Sequence, residues 1–282
     1  MIRIRCILEG QIIKIISNDY FVYSDNDTYR CKSRGKFRND KITPQVGDFC
    51  IFNKEELVIT EILNRKNSLD RPNVANIDQA FIITSLKKPD FSSNLLDKLL
   101  IICKINNIDP IICLTKKDLL TSSEFKSLKP IIKYYKKIGY KIIYNTNLFK
   151  IKRLFKNKTT VFTGQTGSGK STLLNKLDKT LNFETNEISE ALGRGKHTTT
   201  IITLVNLFKG KVLDTPGFSS FDLTNISNEA IRDSFIEFNN VSCPYKDCMH
   251  INENDCYVKY NVNKNIILKS RYDNYKKFLE KR

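Results

Sequence analysis

The segment Gly164-Gln165-Thr166-Gly167-Ser168-Gly169-Lys170-Ser171-Thr172 constrains this chain more than any other stretch. Val161-Phe162-Thr163 before it reads as a strand, and Leu173-Leu174-Asn175-Lys176-Leu177 after it starts a helix. This is a complete phosphate-binding loop in its proper context. Glycines let backbone N–H groups converge on phosphate oxygens where a Cβ would block approach. The helix N-terminus adds partial positive charge. Lys170 reaches β/γ oxygens, and the Ser171 hydroxyl suits a ligand of Mg²⁺. Apolar β-branched runs alternate with helical patterns around this loop, from about 69 to 225. The pattern predicts strands over 80–84, 110–114 and 140–144, with helices over 95–106 and 124–138. Strands over 203–208 and 211–213 flank Lys209-Gly210, a predicted hairpin turn. Such a pattern implies a buried, mostly parallel α/β sheet.

Two further elements specify the nucleotide. Asp214-Thr215-Pro216-Gly217 follows the apolar run Lys211-Val212-Leu213. A carboxylate at that strand end suits Mg²⁺, and the Gly217 N–H suits a γ-phosphate. Thr115-Lys116-Lys117-Asp118 closes the run Ile111-Ile112-Cys113-Leu114. An Asp there accepts two hydrogen bonds from guanine N1–H and N2–H₂, a donor pair adenine lacks. In ordinary small GTPases the phosphate loop comes first, then DxxG, then the guanine element. Here Asp118 precedes Lys170, which precedes Asp214, so the order is circularly permuted. The γ-phosphate switch therefore lies close in sequence to the C-terminal region.

The flanks have different grammars. Residues 1–68 read as about five short strands separated by Asn/Asp turns, a small β-barrel. In it, Lys32-Ser33-Arg34-Gly35-Lys36-Phe37-Arg38 places cations beside an aromatic, a loop suited to nucleic acid or to solvent. Residues from 226 on are mainly helical and basic around Cys243, Cys248, His250 and Cys256. Three thiolates and an imidazole at this spacing fill the tetrahedral shell of a structural zinc and leave no open position for water. The other cysteines are scattered among apolar residues and read as reduced core side chains, which places the chain in the cytoplasm. A net charge of +17 favours a polyanionic partner, although abundant Lys, Ile and Asn also reflect AT-rich coding. No apolar window approaches the ~18 residues of a spanning helix, so no membrane partner is expected.

These motifs together resemble the ribosome small-subunit-dependent GTPase family (RsgA). The resemblance runs through Arg34-Gly35-Lys36-Phe37-Arg38, Val46-Gly47-Asp48 and Arg71-Pro72-Asn73-Val74-Ala75-Asn76-Ile77-Asp78-Gln79. It continues through the phosphate loop, Arg194-Gly195-Lys196-His197-Thr198-Thr199-Thr200, Asp214-Thr215-Pro216-Gly217-Phe218-Ser219-Ser220 and the cysteine cluster. It implies an OB-fold over 1–68, a circularly permuted GTPase domain over 69–225 and a zinc-binding helical domain over 226–282. It also implies a monomer that binds the small ribosomal subunit and its rRNA. Its GTP hydrolysis, stimulated by that subunit, would act in late assembly. Phe218 follows the DxxG glycine and has no group to orient water. The resemblance suggests His197 for that role and Thr199 as the switch threonine on Mg²⁺ and γ-phosphate, with Thr198 and Thr200 as adjacent alternatives. Thr115 stands where the guanine motif usually has Asn, and Asn145-Thr146 is the candidate for the later guanine loop. Two other readings stay open at this point: a nucleotide kinase, and a non-enzymatic rRNA-binding module that senses guanine nucleotides.

Overall fold

The computed structural model describes residues 7–33, 43–70, 73–178, 202–214 and 223–280. They fall into two compact units. The first takes the described parts of 1–80, 149–162 and 184–218; the second takes those of 81–148, 163–183 and 219–282. The chain therefore visits each unit three times.

In the first unit, five strands close a barrel: β1 (Ile7–Ile16), β2 (Asp19–Ser24), β3 (Asp27–Ser33), β4 (Phe49–Asn53) and β5 (Val58–Ile62). Antiparallel pairs β1–β2, β2–β3, β4–β5 and β1–β4 are joined by one parallel pair, β3–β5. Alternation sends Ile12, Val22, Cys31, Cys50, Phe52 and Ile59 inward, all fully buried. Cys31 and Cys50 are thus core side chains, as expected, and burial pushes their thiols up, to about 11 and about 12. The Val46-Gly47-Asp48 segment earns its place through hydrogen bonds. The fully buried Asp48 carboxylate accepts from Arg65 Nε and Nη2, both at 2.7 Å, and from the Gln45 N–H at 2.7 Å. A bidentate charge-assisted pair of this kind fixes the loop geometrically. A short hairpin, β6 (Ser68–Asp70) with β7 (Asn73–Ala75), follows the barrel, and Asn76 Nδ2 donates back to the Gly47 carbonyl at 3.0 Å.

The chain then builds the second unit with β8 (Gln79–Ser85), α1 (Ser93–Ile105), β9 (Asp109–Thr115), α2 (Ser122–Lys137) and β10 (Lys141–Tyr144). β8, β9 and β10 are neighbours in that order, and β10 runs parallel to β9 with Tyr144 opposite Leu114. β8 is buried along its whole length, as a central strand covered on both faces must be. Ser92 caps α1 by accepting from the Leu95 N–H, and Thr121 with Glu124 forms a capping box on α2.

Short helix α3 (Leu148–Leu154) and β11 (Thr159–Gly164) come next, then α4 (Lys170–Leu177), β12 (Thr203–Leu207) and β13 (Gly210–Asp214). β11 and β13 are parallel with Val161 opposite Leu213, while β12 and β13 form an antiparallel hairpin. Its turn is Phe208-Lys209, one residue earlier than the sequence pattern predicts, because Leu207 pairs with Gly210. Both turn residues take positive φ (48° and 62°), the pattern whose twist matches the flanking strands. Gly210 serves the strand instead: a Cβ there would lie 1.9 Å from the Phe155 carbonyl oxygen. β12 also pairs with β1, Lys14 facing Thr203.

The remainder of the second unit is helical: α5 (Asn228–Ser234), α6 (Tyr257–Asn263) and α7 (Lys269–Glu280). Helices α5 and α7 pack on α1. The tie is ionic as well as apolar. Arg271 of α7 is 1% exposed and donates through Nη1 to Asp97 of α1 at 2.6 Å and through Nη2 to Glu237 at 2.9 Å. Asn274 Nδ2 and the Tyr135 hydroxyl also donate to Asp97, at 2.7 and 2.6 Å. Burial pushes the Asp97 carboxyl up, to about 6, against the pull of the Arg271 guanidinium. Rings of Phe235, Tyr135 and Tyr140 surround the guanidinium at 4.8, 5.1 and 5.7 Å. Arg271→Met strands two buried carboxylates, so urea unfolding should show a loss of about 3–5 kcal/mol, whereas a loss below about 1 kcal/mol would mean the carboxylates find other partners.

Candidate functional site

The phosphate loop begins where β11 ends. Gly164 takes φ +145°, and a Cβ on it would sit 2.2 Å from the Ile83 carbonyl oxygen, so only glycine lets the loop leave beside β8. The loop turns tightly, the Ser168 N–H donating to the Gln165 carbonyl at 3.0 Å. Gly169, in left-handed conformation, starts α4, and Lys170 and Ser171 are its half-buried first residues. Gln165, Thr166, Gly167 and Thr172 are exposed. Ser168 is buried, and its hydroxyl has no protein partner among the described residues. The result is an exposed backbone concavity at a helix N-terminus, the arrangement that holds anionic oxygens.

The guanine element meets this loop through two hydrogen bonds. Thr115 is buried at the carboxyl end of β9, and its Oγ1 donates to the Ser168 carbonyl at 2.7 Å. Lys116, at φ +56°, extends Nζ to the Gly167 carbonyl at 2.7 Å and to the Lys88 carbonyl. Both residues therefore brace the phosphate loop. Asp118 lies in the 3-10 turn Lys117–Leu119 and is exposed, free to face a ligand's N–H donors. The Lys117 ammonium beside it sits over Phe125 and Tyr144 at 4.5 and 5.3 Å. The Asn145 N–H donates to the Leu114 carbonyl at 3.0 Å, which places the Asn145-Thr146 loop at the same strand ends. Ligands of open α/β sheets bind at these carboxyl ends.

The loop after β8 also belongs here, and the sequence reading passes over it. The Leu86 N–H donates to the Thr115 carbonyl at 3.1 Å, and Lys87 pairs with Glu124 at 2.8 Å. The available signal was the apolar run ending abruptly at Lys87-Lys88-Pro89. Asp214 closes β13. Gly217, His197 and Thr199, with Thr198 and Thr200, lie outside the described residues, as do Arg34 to Arg38 of the basic barrel loop.

The four expected metal ligands converge. One donor atom each from Cys243, Cys248, His250 and Cys256 lies within 4.8 Å of the others, so the group could hold one metal ion. His250 Nδ1 is 3.4 Å from Cys256 Sγ and 3.6 Å from Cys243 Sγ, and those two sulfurs are 3.9 Å apart. His250 sits at φ +60°. The Tyr272 hydroxyl donates to its carbonyl at 2.6 Å, and the Tyr275 hydroxyl donates to the Met249 carbonyl at 2.6 Å. Glu253 accepts from the N–H groups of Met249 and Ile251 at 2.8 and 2.9 Å, closing the loop between ligands. Burial lowers the His250 pKa, which keeps a ring nitrogen available as a donor to a cation. Burial also pushes Cys248 up, to about 12. Only a bound cation would make thiolates favourable in such a place.

Comparison with known proteins agrees with this geometry. The family model for the RsgA GTPase matches residues 62–224, and that for the RsgA N-terminal domain matches 9–58. The small ribosomal subunit biogenesis GTPase RsgA of Latilactobacillus sakei is 46% identical, over 95% of this chain and 94% of its own length. Its namesake from Pediococcus pentosaceus is 44% identical, over 96% and 92%. Among solved structures, YloQ, described as a circularly permuted GTPase, superposes with a TM-score of 0.82 at 34% identity, covering 99% of this chain and 96% of its own. YjeQ from Thermotoga maritima does so with 0.85 at 31%, covering 97% and 98%. With its guanine element braced on a phosphate loop that follows it in sequence, behind a five-stranded barrel and ahead of a Cys₃His cluster, this chain belongs to the RsgA GTPase family.

Proposed function

We propose that this protein hydrolyses GTP on the small ribosomal subunit and couples that hydrolysis to late assembly of the subunit. The carrying observation is the Thr115–Ser168 hydrogen bond, which joins the loop we assign to the base to the loop we assign to the phosphates across the permuted chain order. The names of the relatives supply the subunit. We place the domain boundaries at 1–68, 69–225 and 226–282; the two family models span 9–58 and 62–224. The barrel and the metal domain would carry rRNA contact, the protein acting as a monomer in the cytoplasm. No helix among the described residues is long and apolar enough to cross a membrane.

The loop N–H groups of Gly164 to Thr172 would hold the β- and γ-phosphates, with Lys170 facing their oxygens. Asp118 would read the guanine edge, and Asn145-Thr146 would close over the base. Thr115 and Lys116 would keep the two loops in register. Ser171, Asp214 and Thr199 would hold Mg²⁺, which neutralises charge on the phosphates when bound. The Gly217 N–H would sense the γ-phosphate. Because the transition state is loose, positioning matters more than basicity, and His197 would orient the attacking water. For the Cys₃His group we favour zinc. Ligand bonds of ~2.0–2.3 Å put tetrahedral edges at about 3.4–3.8 Å. The 3.4 and 3.6 Å separations fall in that range and the 3.9 Å one just above it, with all four donor atoms within 4.8 Å of one another.

Hydrolysis measured with and without purified small subunits tests the proposal; equal rates would reject the coupling. Asp118→Asn should weaken GTP binding and shift preference toward xanthosine triphosphate, because an acceptor becomes a donor facing the xanthine carbonyl. Unchanged GTP affinity in competition would remove Asp118 from base recognition. His197→Ala should lower turnover at saturating subunits by ~10²–10⁴-fold while GTP affinity survives. Normal saturated turnover would leave His197 with an RNA-contacting role only. Native mass spectrometry should find one zinc per chain, lost in Cys248→Ser with destabilised C-terminal helices. A metal-free, fully folded wild type would exclude the structural zinc.

A further inference from the structure

Helix α2 carries five lysines that no carboxylate among the described residues answers. Lys126, Lys129, Lys133, Lys136 and Lys137 are all exposed. At 3.6 residues per turn they fall within one arc of about 100° and run about 16 Å along the axis. The apolar residues Phe125, Leu128, Ile131, Ile132 and Tyr135 occupy another face, with Tyr135 fully buried. The one acidic residue of α2, Glu124, is engaged by Lys87 and Thr121 in the first turn. Among the described residues no ion pair reaches the stripe, whereas Lys32, Lys66 and Lys269 each pair with an aspartate. Favourable charge at a helix C-terminus accounts for Lys136 and Lys137 only. Like charges three and four residues apart weaken a helix on its own, so the other three lysines are a local cost.

We propose that this face of α2 docks on the backbone phosphates of a double-helical RNA segment of the small ribosomal subunit. The inference rests on the subunit-binding reading above and adds a contact from the nucleotide-binding part of the chain to those expected from barrel and metal domain. The chemistry favours phosphate backbone over the alternatives. Lysine is a compact point charge suited to phosphate oxygens. The stripe has no aromatic side chain for stacking on unpaired bases. It also lacks the aromatic and arginine anchors that dominate protein–protein contacts. Double-helical RNA is recognised largely by shape and backbone, which a row of charges along one helix face matches. Helix α2 begins just beyond the turn that carries Asp118, so docking would bear directly on the base-reading loop.

The test uses the full-length protein with Lys126, Lys129, Lys133 and Lys136 changed together to Gln, which preserves helix propensity. A control changes four exposed lysines on other elements, Lys104, Lys156, Lys209 and Lys277, to Gln, for the same loss of net charge. Affinity for purified small subunits and for a naked 20-base-pair RNA duplex is measured across a salt series. The stripe variant should keep wild-type basal hydrolysis and lose about 3 from the slope of log affinity against log salt on both probes. Arg at the same four positions should restore the slope. A stripe variant no different from the control would overturn the proposal, since only bulk charge would then matter. A slope lost on subunits but kept on the duplex would also overturn it, by pointing to an acidic protein. Failure of the wild type to bind subunits at all, with the duplex result intact, would instead strike at the subunit-binding reading.

Discussion

The hydrogen bond from Thr115 to the Ser168 carbonyl closes a gap of fifty-three residues, and the proposed reading of base and phosphates by one site depends on it. A loop that reads a base and a loop that reads phosphates are useful only at a fixed separation. Here the backbone provides no short covalent path between them. Hydrogen bonds from Thr115 to the Ser168 carbonyl and from Lys116 to the Gly167 carbonyl set the spacing. Placing a threonine where asparagine is usual shortens the reach but keeps the donor. A buried hydroxyl with a single well-aligned acceptor is satisfied, and losing either partner would leave a buried polar group exposed to that cost.

A second constraint acts at α1. The Asp97–Arg271–Glu237 group replaces what would otherwise be an apolar seam between helices. Such a group is seldom worth more than well-packed hydrophobes, but it tolerates one geometry only. Asn274 and Tyr135 fill the remaining acceptor sites of Asp97, so rotation of α7 by even part of a turn would strand several charges at once. The C-terminal helices, and the Cys₃His loop that Tyr272 and Tyr275 hold by its carbonyls, are thereby indexed to the helix that follows β8.

Much of this was legible in the sequence because it is local. The phosphate loop, the guanine tetrapeptide and the metal spacing are each short enough that residue order dictates geometry, and the barrel strands announce themselves by alternation. What stayed hidden depends on distant partners. Asp97 reads as one polar residue in an apolar helix until Arg271 arrives from 174 positions away. Asp48 stands in the sequence as part of a short motif, and its role shows only once Arg65 pairs with its buried carboxylate. The Phe208-Lys209 turn was displaced by one position because Gly210 looked like a turn glycine, whereas the nearby Phe155 carbonyl is what demands it.

Strand β1 has one further consequence. Its first half hydrogen-bonds to β4 and its second half to β12, with β2 along the other side. The barrel is thus closed over Ile7 to Gln11 but borrows its covering at Lys14 from a hairpin encoded almost two hundred residues later. An N-terminal fragment cut at residue 68 would present that stretch of Ile13 to Ile16 as a raw strand edge, β-branched and ready to recruit another copy. Isolated barrels of this chain should therefore self-associate through β1, and a soluble fragment will need the edge blunted by charge or covered by a grafted strand.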